Sequence, residues 1–498
     1  MGRPCVLLVN PNRMRPPIAP VGLDYVAAGL KRRGYDPVLC DLSFADDWAR
    51  SLIAAVDEVQ PIAVGFSVRN IDDAYFASRD FVLDTTAAMI RSVREATRAP
   101  IVLGGVGFSA APAEILRFTG ADFGIAGDGE EALPALLDCL QDGQNPKDVP
   151  GVVVGKGLGG EMLHALSMCE LDRLPAAPRD FVDNPKYFRE GGQGGIETKR
   201  GCDRPCLYCV DPVSKGRRVR LRPAAQVAAE FEDLCTRGVD VIHLCDSEFN
   251  IPPWHAFAVC EALTRSGLDQ RVRWYTYAAP DGFDEDLARA MARAGCVGIN
   301  FGVDHADAGM LSRWGRRYGP EAIRRIVDAC RKTGLVVMCD MLLGGPGETR
   351  DTIAYAIDFM RGADPDRVGL SCGVRVYPHT PLAHLVLQQG PPATNPHLHG
   401  VLEDNLDLLR PVFYVDAAVG PDIHAYVARI VGDDRRFFHA DPGHVDRNYN
   451  YNDNSQLSAA IRAGARGAYW DILRRLQEGE FREAAGRSGD TPQAGGGM

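Results

Sequence analysis

The sequence predicts an α/β protein with an N-terminal doubly wound sheet, a partial (β/α)6 barrel and a small α-rich C-terminal domain. Three observations support this fold class. The chain has 498 residues, enough for about three domains of ordinary size. Short apolar runs alternate with amphipathic stretches in two separate regions, which is typical of β-α units in parallel sheets. A stretch rich in turn-forming residues separates the two regions.

The first region, residues 1–140, is predicted to be the doubly wound sheet. Its strand candidates are Val6–Asn10, Pro37–Asp41, Ile62–Val68, Ile101–Gly104 and Phe123–Ala126. Between them lie amphipathic helix candidates such as Leu23–Arg33 and Ala74–Arg98. Because ligands of such sheets bind at the carboxyl ends of the strands, we expect a binding site at that edge.

The second region, residues 193–385, is predicted to be the barrel. It follows residues 141–192, which are predicted to be an extended linker that contains a small hairpin at 149–155. The barrel strand candidates are Ile196–Lys199, Val241–Leu244, Trp274–Ala278, Val297–Val303, Val336–Leu343 and Val368–Val376. Such a barrel carries its active site at the carboxyl ends of its strands.

Residues 386–487 are predicted to form the C-terminal domain, with helices at Asn454–Ala463 and Arg466–Glu478. The polar and aromatic run Asn448–Asn454 could line a pocket. Two interpretations stay open, a domain that closes the barrel mouth and selects substrate, and an interdomain cap. Residues 488–498, rich in glycine and polar residues, are predicted to be a disordered tail.

Composition and charge exclude several classes of protein. Hydrophobic residues make up 46% and charged residues 24% of the chain, which is typical of a globular protein. The net charge of -11 argues against a nucleic-acid-binding protein. No apolar run reaches membrane-spanning length, and the N-terminus shows no signal peptide. With its scattered cysteines, the chain is predicted to be cytoplasmic, and the sequence indicates no particular oligomeric state.

Three cysteines, Cys202, Cys206 and Cys209, lie in one short loop after the first barrel strand, spaced Cys-x3-Cys-x2-Cys. Thiolates at that spacing fit three irons of a cubane cluster and leave the fourth iron open, whereas electron-transfer clusters normally have four cysteines. The alternatives are chance and a zinc site, but zinc prefers four ligands, usually in two pairs. No second Cys-x2-Cys pair occurs in the chain. The loop is therefore a candidate site for a cluster that binds a ligand.

This run, with Tyr208 before its last cysteine, resembles the signature of the radical S-adenosylmethionine (SAM) enzymes. The resemblance implies a [4Fe-4S] cluster whose open iron chelates SAM, with Tyr208 near the adenine. Other matching positions follow the second and fifth barrel strands. The candidate SAM-binding residues there are Asp246, Ser247 and Glu248, and then Gly344, Gly345 and Glu348. The usual Gly-Gly-Glu of the family is absent at residues 246–248, and these residues could instead be a helix N-cap cluster. Residues 344–348 could instead be an ordinary strand-to-helix turn.

The N-terminal region resembles the cobalamin-binding domain that precedes many radical SAM barrels. The matches are the Pro- and Gly-containing segment 16–25 and the glycine-rich turns after the fourth and fifth strands. The candidate cobalamin-binding residues are Gly104, Gly105, Gly127, Gly129 and Glu130. Glycine lets the backbone approach a bulky planar ligand closely. A plain nucleotide-type fold is the alternative.

No histidine precedes His164, so the Asp-x-His-x-x-Gly element of other cobalamin proteins is missing and this domain cannot give cobalt an imidazole. Arg69, at the end of the third strand, is a candidate to cover the lower face of cobalt. A protonated guanidinium cannot be a ligand. Its charge would make a methyl group easier to transfer as a cation equivalent. Alternatively, Arg69 pairs with Asp72 or Asp73 and caps a turn.

Tyr275 and Tyr277 lie on the third barrel strand and face the same side, because side chains alternate along a strand. Both are candidate catalytic residues, as a general base or as groups that orient a substrate. Tyrosine, with a pKa near roughly 10, is a poor base unless its pKa is perturbed. Barrel packing is the alternative for at least one of the two.

The domain order is similar to that of the cobalamin-dependent radical SAM methylases, most of all to the tryptophan 2-methyltransferases of thiopeptide biosynthesis. The resemblance implies a C-methyltransferase that uses a [4Fe-4S] cluster, SAM and cobalamin, with a small, tryptophan-like substrate and an electron donor for the cluster. The methyl group passes from SAM to cobalamin and then to carbon, by a radical route at an sp3 carbon or a polar route at an indole. A radical rearrangement or cyclisation without methyl transfer, and a cobalamin or redox sensor, are the alternatives.

Overall fold

The computed structural model describes residues 3–155, 166–174, 177–440, 448 and 450–481. The predicted tail 488–498 and Tyr449 of the predicted aromatic run lie outside these residues. Within them, no helix combines the length and the apolar character that crossing a bilayer requires.

The first region forms a six-stranded sheet in the order β2-β1-β3-β4-β5-β6. Its strands are β1 Cys5–Asn10, β2 Asp36–Asp41, β3 Ala63–Ser67, β4 Ile101–Gly104, β5 Phe123–Ile125 and β6 Val152–Val154. The first five are parallel, and β6, from the predicted hairpin, pairs antiparallel with β5. The order reverses between β1 and β3, so the crevice at their carboxyl ends is the expected ligand position.

Helices cover both faces of this sheet. They are α1 Val21–Arg32, α2 Trp48–Val59, α3 Leu83–Ala96, α4 Val106–Ala110, α5 Pro112–Thr119 and α6 Gly129–Gln141. Apolar residues of α1 and α6 bury one face, and those of α2, α3 and α5 bury the other. This is the predicted doubly wound fold.

The predicted helix Ala74–Arg98 is wrong in its first part, because α3 begins only at Leu83. Residues 68–82 form a loop instead, in which Ala74 has φ +56° and Arg79 has φ +58°. Left-handed backbone at two residues is incompatible with a continuous right-handed helix. The loop reaches the barrel, where the Asp72 carboxylate lies 2.7 Å from the Arg375 guanidinium.

The second region contains the predicted parallel strands. Its strands are β7 Gly194–Ile196, β8 Lys199–Arg200, β9 Arg220–Leu221, β10 Val241–Leu244, β11 Arg273–Ala278, β12 Cys296–Asp304, β13 Val336–Leu343 and β14 Arg367–Cys372. Strands β8 and β9 pair antiparallel and frame the cysteine loop. Helix α7 Asn184–Gly191 lies in residues 141–192, so this part of the predicted extended linker is helical. The helices of the barrel region are α8 Asp211–Ser214, α9 Ala224–Thr236, α10 Pro253–Arg265, α11 Glu285–Arg293, α12 Ala308–Arg313, α13 Pro320–Thr333, α14 Arg350–Ala363 and α15 Pro381–Gln388.

The predicted strand Val368–Val376 is two strands. Gly373, with φ +81°, ends β14 and turns the chain away from the barrel. The remaining elements are β15 Val374–Arg375, β16 Leu398–Gly400, β17 Val412–Tyr414, β18 Phe437–Phe438, α16 Ile423–Val431, α17 Ser455–Arg462 and α18 Tyr469–Gln477. Strands β15, β16 and β17 form a small antiparallel sheet, and β18 extends the barrel sheet to the order β18-β14-β13-β12-β11-β10-β7.

Helix α18 closes the end of the barrel that lies opposite its mouth. The ring of Trp470 lies edge-on to Tyr275, with ring centroids 6.2 Å apart, and the Tyr275 hydroxyl donates to Asp471 at 2.8 Å. A Cβ at Gly298 would lie about 3 Å from both rings. Apolar residues of α17 and α18 are thus part of the barrel core.

A buried ion network joins the two sheets. The Arg200 guanidinium of β8 lies 3.0 Å from Asp128 and 2.6 Å from Glu130, which follow β5, and it also contacts Glu197. Nearby, Arg179 pairs with Asp24 of α1 at 2.7 Å, and both side chains are fully buried. Buried charges are stable only when they are paired and hydrogen-bonded, so these contacts fix the orientation of the sheets.

We predict that Arg200→Met lowers the free energy of unfolding by about 3–5 kcal/mol, because it leaves buried carboxylates without a counter-charge. Denaturant unfolding followed by circular dichroism measures the change. The control is Arg33→Met, which removes a pair with Asp138 whose arginine is 62% exposed, and it should cost less than about 1 kcal/mol. Equal effects of the two substitutions would contradict the structural role of the network.

Candidate active site

A cavity of about 480 Å³ lies between the carboxyl edge of the N-terminal sheet and the mouth of the barrel. We call its two sides the sheet wall and the barrel wall. The sheet wall includes Gly65, Ser67, Arg69, Gly104, Gly105, Gly127, Gly129 and Glu130. The barrel wall includes Gln193, Glu197, Lys215, His243, Cys245 and Tyr277.

Glycines of the turn after β4 hold the backbone that carries Arg69. Gly105 has φ +97°, and a Cβ there would lie 2.6 Å from the carbonyl oxygen of Val68. A Cβ at Gly107 would lie 2.7 Å from the carbonyl oxygen of Arg69. A Cβ at Gly104 would instead meet nothing within 4 Å, because this glycine faces open cavity space.

Arg69 lies in the sheet wall without a charged partner. Within the described ranges its side chain has neither an ion pair nor a hydrogen bond. Asp72 is bound by Arg375 and by the Tyr377 hydroxyl, which donates at 3.1 Å. Asp73 accepts from the backbone N–H of Tyr75. The turn-capping alternative for Arg69 is therefore wrong, and its cation faces the cavity.

The turn after β5 has mixed roles. Gly127 packs against the chain at Ser167, since a Cβ would lie 2.2 Å from that carbonyl oxygen. Gly129 begins α6 beside the cavity. Glu130 is 4% exposed and its carboxylate is paired with Arg200, so its main role is to join the two sheets.

The residues of the sheet wall fit a corrin ring. The glycines leave a cradle at the switch between β1 and β3. On the opposite wall, the side-chain amide oxygen Oε1 of Gln193 is buried without a hydrogen-bond partner among the described residues. Such an oxygen suits an amide N–H, of the kind that surrounds a corrin. Among the described residues that line the sheet wall there is no histidine.

The three cysteines lie in the loop framed by β8 and β9. Cys202 and Cys206 are buried, and burial raises the pKa of Cys206 to about 12. The free thiol therefore keeps its proton, and iron must displace it on binding. No group of three His, Cys, Asp or Glu side chains within the described ranges converges on a single-ion site. In a cluster each thiolate binds a different iron, so the three cysteines stay the candidate cluster ligands.

Tyr208 belongs to a buried polar network beside the cysteines. Its hydroxyl donates to Asp304 at 2.8 Å and accepts from Arg316 at 3.0 Å. Arg316 also lies 2.6 Å from Asp304 and 3.8 Å from Glu248. Asp304 has φ +58°, a conformation that non-glycine residues rarely adopt and that aims its carboxylate at this network.

The candidate SAM-binding residues after β10 differ in orientation. Asp246 is 2% exposed and accepts hydrogen bonds from the Thr198 hydroxyl and backbone, so it braces β7. Ser247 donates to Asp211. Glu248 reaches toward Arg316, and burial raises its pKa to about 7 although Arg316 opposes the shift. Of the three, Glu248 is thus the one whose carboxylate faces the network of Tyr208 and Arg316.

The turn after β13 is a structural support. Glu348 is fully buried and accepts from the backbone N–H groups of Gly344 and Gly345, at 2.5 and 2.9 Å, and pairs with His305. A Cβ at Gly345 would lie 2.1 Å from the Trp314 ring, whose backbone carbonyl accepts from Leu207. Glu348 is therefore a positioning residue, and the expectation that it contacts SAM is not supported.

The two tyrosines of β11 lie at different depths. Tyr275, 6% exposed, is bound to Asp471 in the barrel floor, so the structure does not support its predicted catalytic role. Tyr277 opens into the cavity, and its ring centroid lies 4.8 Å from that of His243. Desolvation, followed by the charge of Asp340, raises the pKa of Tyr277 to about 12. It therefore keeps its proton at neutral pH.

Sequence reasoning missed several residues of the site. Gln193, Lys215, His243 and Cys245 line the cavity, and Arg316 and Asp304 hold Tyr208. One signal was available, since His243 is a polar residue within the apolar strand β10, next to its carboxyl end. Arg316 carries no local signal, because only the tertiary fold brings it to the cysteine loop.

Two family models match the chain. The model described as the radical SAM superfamily matches residues 196–360, and the B12 binding domain matches residues 13–137. The first range contains the cysteine loop and the second contains Arg69 and the glycine-rich turns of the sheet wall.

Known proteins resemble the chain over most of its length. Tryptophan 2-C-methyltransferase from Streptomyces laurentii is 32% identical over 446 residues, which are 77% of this chain and 74% of the relative. The structure of the radical SAM methyltransferase TsrM from Kitasatospora setae, with tryptophan and the SAM analogue aza-SAM bound, matches with a TM-score of 0.90 and 30% identity. That match covers 97% of this chain and 99% of TsrM. The radical enzyme OxsB, 17% identical with a TM-score of 0.67, shares the fold.

We predict that Cys206→Ala abolishes assembly of the cluster, because the remaining thiols cannot hold it. After anaerobic reconstitution, iron and sulfide per chain should fall to the background level. Cys235→Ala, in α9 on the outer layer, is the control and should retain full iron content. Unchanged iron in Cys206→Ala would rule out the loop as the cluster site.

We predict that Gly104→Leu blocks cobalamin binding, because its side chain would occupy cavity space that is now open. Affinity for hydroxocobalamin, measured by absorbance titration, should fall at least about tenfold, which corresponds to about 1.4 kcal/mol. The control is Gly362→Leu in α14, where a Cβ also meets nothing within 4 Å but no cavity is present. If Gly104→Leu binds cobalamin normally, the corrin lies elsewhere.

Proposed function

The chain belongs to the cobalamin-dependent radical SAM methyltransferases, and on this basis we propose that it transfers a methyl group from SAM, through cobalamin, to C2 of tryptophan. Tryptophan is the acceptor that the name of the relative from Streptomyces laurentii gives. The main observation in support is a cavity with two facing walls. One is the sheet wall, which suits a corrin, and the other is the barrel wall, which contains Tyr277. A small planar substrate between the two walls would lie against both.

The cofactors would be held by separate groups of residues. Cys202, Cys206 and Cys209 would bind the [4Fe-4S] cluster, and Glu248, Arg316 and Tyr208 would contact SAM beside it. The glycine-rich turns of the sheet wall would hold cobalamin. When bound, cobalamin carries the methyl group between SAM and the acceptor carbon.

Arg69 supplies a permanent positive charge to the sheet wall. A guanidinium cannot donate an electron pair to a metal, and its charge disfavours a strongly donating ligand on the same side. This arrangement favours departure of the methyl group as a cation equivalent. An indole carbon is nucleophilic enough to accept it, so the transfer needs no substrate radical.

Tyr277 orients the substrate. Its protonated hydroxyl can donate or accept a hydrogen bond at the cavity face, and its ring offers an apolar surface to an indole. The domains would divide these tasks, with residues 1–140 holding cobalamin and residues 193–385 holding cluster, SAM and substrate. An external electron donor would keep the metal centres reduced.

The test is an anaerobic assay with methyl-deuterated SAM, reconstituted cluster, cobalamin, a reductant and tryptophan, followed by mass spectrometry. We expect 2-methyltryptophan that carries the intact labelled methyl group, without an equivalent of 5′-deoxyadenosine. Label on cobalamin but not on tryptophan would reject tryptophan as the acceptor. One 5′-deoxyadenosine per labelled product would reject the polar route.

A further inference from the structure

His243 occupies a defined position in the barrel wall. It lies in β10 between Ile242 and Leu244, which are fully buried in the core. Strand alternation turns its side chain to the opposite side, into the barrel, where it is 8% exposed and lines the cavity. Its ring centroid lies 4.8 Å from that of Tyr277.

The hydrogen bonds of His243 fix its tautomer. Nδ1 lies 2.9 Å from the carbonyl oxygen of Leu244, and a carbonyl can only accept, so Nδ1 carries the proton. Nε2 therefore presents a lone pair, and no described residue donates a hydrogen bond to it. Burial lowers the pKa of His243 to about 4, so the ring is neutral at neutral pH.

The other titratable groups of the cavity cannot accept a proton as readily as Nε2 of His243. Tyr277 and Cys245 keep their protons, because desolvation raises their pKa values to about 12 and about 11. The carboxylates of Asp128, Glu130 and Glu197 are all paired with Arg200. Lys215 is protonated and paired with Asp211 at 2.9 Å. Among these groups, the lone pair of His243 is available.

We propose that His243 is the catalytic base that removes the C2 proton of tryptophan during methylation, an inference that rests on the proposed function. The methyl group reaches C2 as a cation equivalent, so the electron pair of its former bond would stay with its carrier, and a π-electron pair of the indole forms the new C–C bond. The ring is then cationic. The electron pair of the C2–H bond restores aromaticity, and the proton goes to Nε2. Because a cationic ring is strongly acidic, a weakly basic imidazole suffices.

The test compares His243→Asn with the native holoenzyme. Asparagine keeps an N–H donor for the Leu244 carbonyl but removes the Nε2 lone pair. We expect tryptophan methylation to fall about 100-fold or more, the usual range for loss of a general base. Tryptophan affinity, and transfer of label from SAM to cobalamin, should stay unchanged.

A kinetic isotope effect distinguishes a catalytic base from a residue that has only a structural role. With tryptophan deuterated at C2, the native enzyme should show little rate change, whereas His243→Asn should show a primary isotope effect because proton loss now limits the rate.

Should the variant fail to fold, His243→Ala with added imidazole replaces it, and partial rescue is expected. The control is His255→Gln, since His255 is buried with its Nε2 bonded to the Arg222 carbonyl, outside the cavity. It should methylate tryptophan normally.

The opposing outcomes are distinct. Normal methylation by His243→Asn, with native enzyme active, would overturn the assignment and leave the proposed function standing. A changed cobalamin spectrum in the variant would identify His243 as a cobalt ligand and overturn its role as base. No labelled tryptophan from the native enzyme would reject the proposed function, and the base with it.

Discussion

The active-site cavity depends on Arg200, a largely buried cation that ties the N-terminal sheet to the barrel. Its guanidinium binds Asp128 and Glu130 on one side and Glu197 on the other. Because the carboxyl ends of parallel strands are where each sheet binds ligands, this bond sets two binding edges face to face. Arg200 therefore helps to hold the two binding edges on opposite sides of one cavity.

A second contact holds the opposite side of the cavity. The loop 68–82 crosses to the barrel, where Asp72 is bound by Arg375 and Tyr377, and the glycine turn after β4 packs under its beginning. Arg69 is thereby fixed at the cavity although its own side chain has no partner among the described residues.

The two walls of the cavity differ in charge. The sheet wall presents the unpaired cation of Arg69, whereas Tyr277, Cys245 and His243 on the barrel wall are kept neutral by desolvation. The charged groups that the barrel wall does contain are paired, Lys215 with Asp211 and Glu197 with Arg200. The unpaired positive charge therefore lies on the side of the cavity that suits a corrin, where the proposed transfer of a methyl group as a cation equivalent would use it.

The sequence by itself determined the fold class, the cysteine loop, the glycine turns and the candidate role of Arg69, because strand ends and short motifs are local features. It did not separate Glu248, which faces the site, from Asp246 and Glu348, which hold backbone groups. Only the tertiary structure decided those orientations, and only it brought His243 beside Tyr277 and Arg316 beside Tyr208. The physical reason is that burial, hydrogen bonds and ion pairs depend on residues that are distant in the sequence. Asp72 and Arg375, for example, are paired although 303 positions separate them.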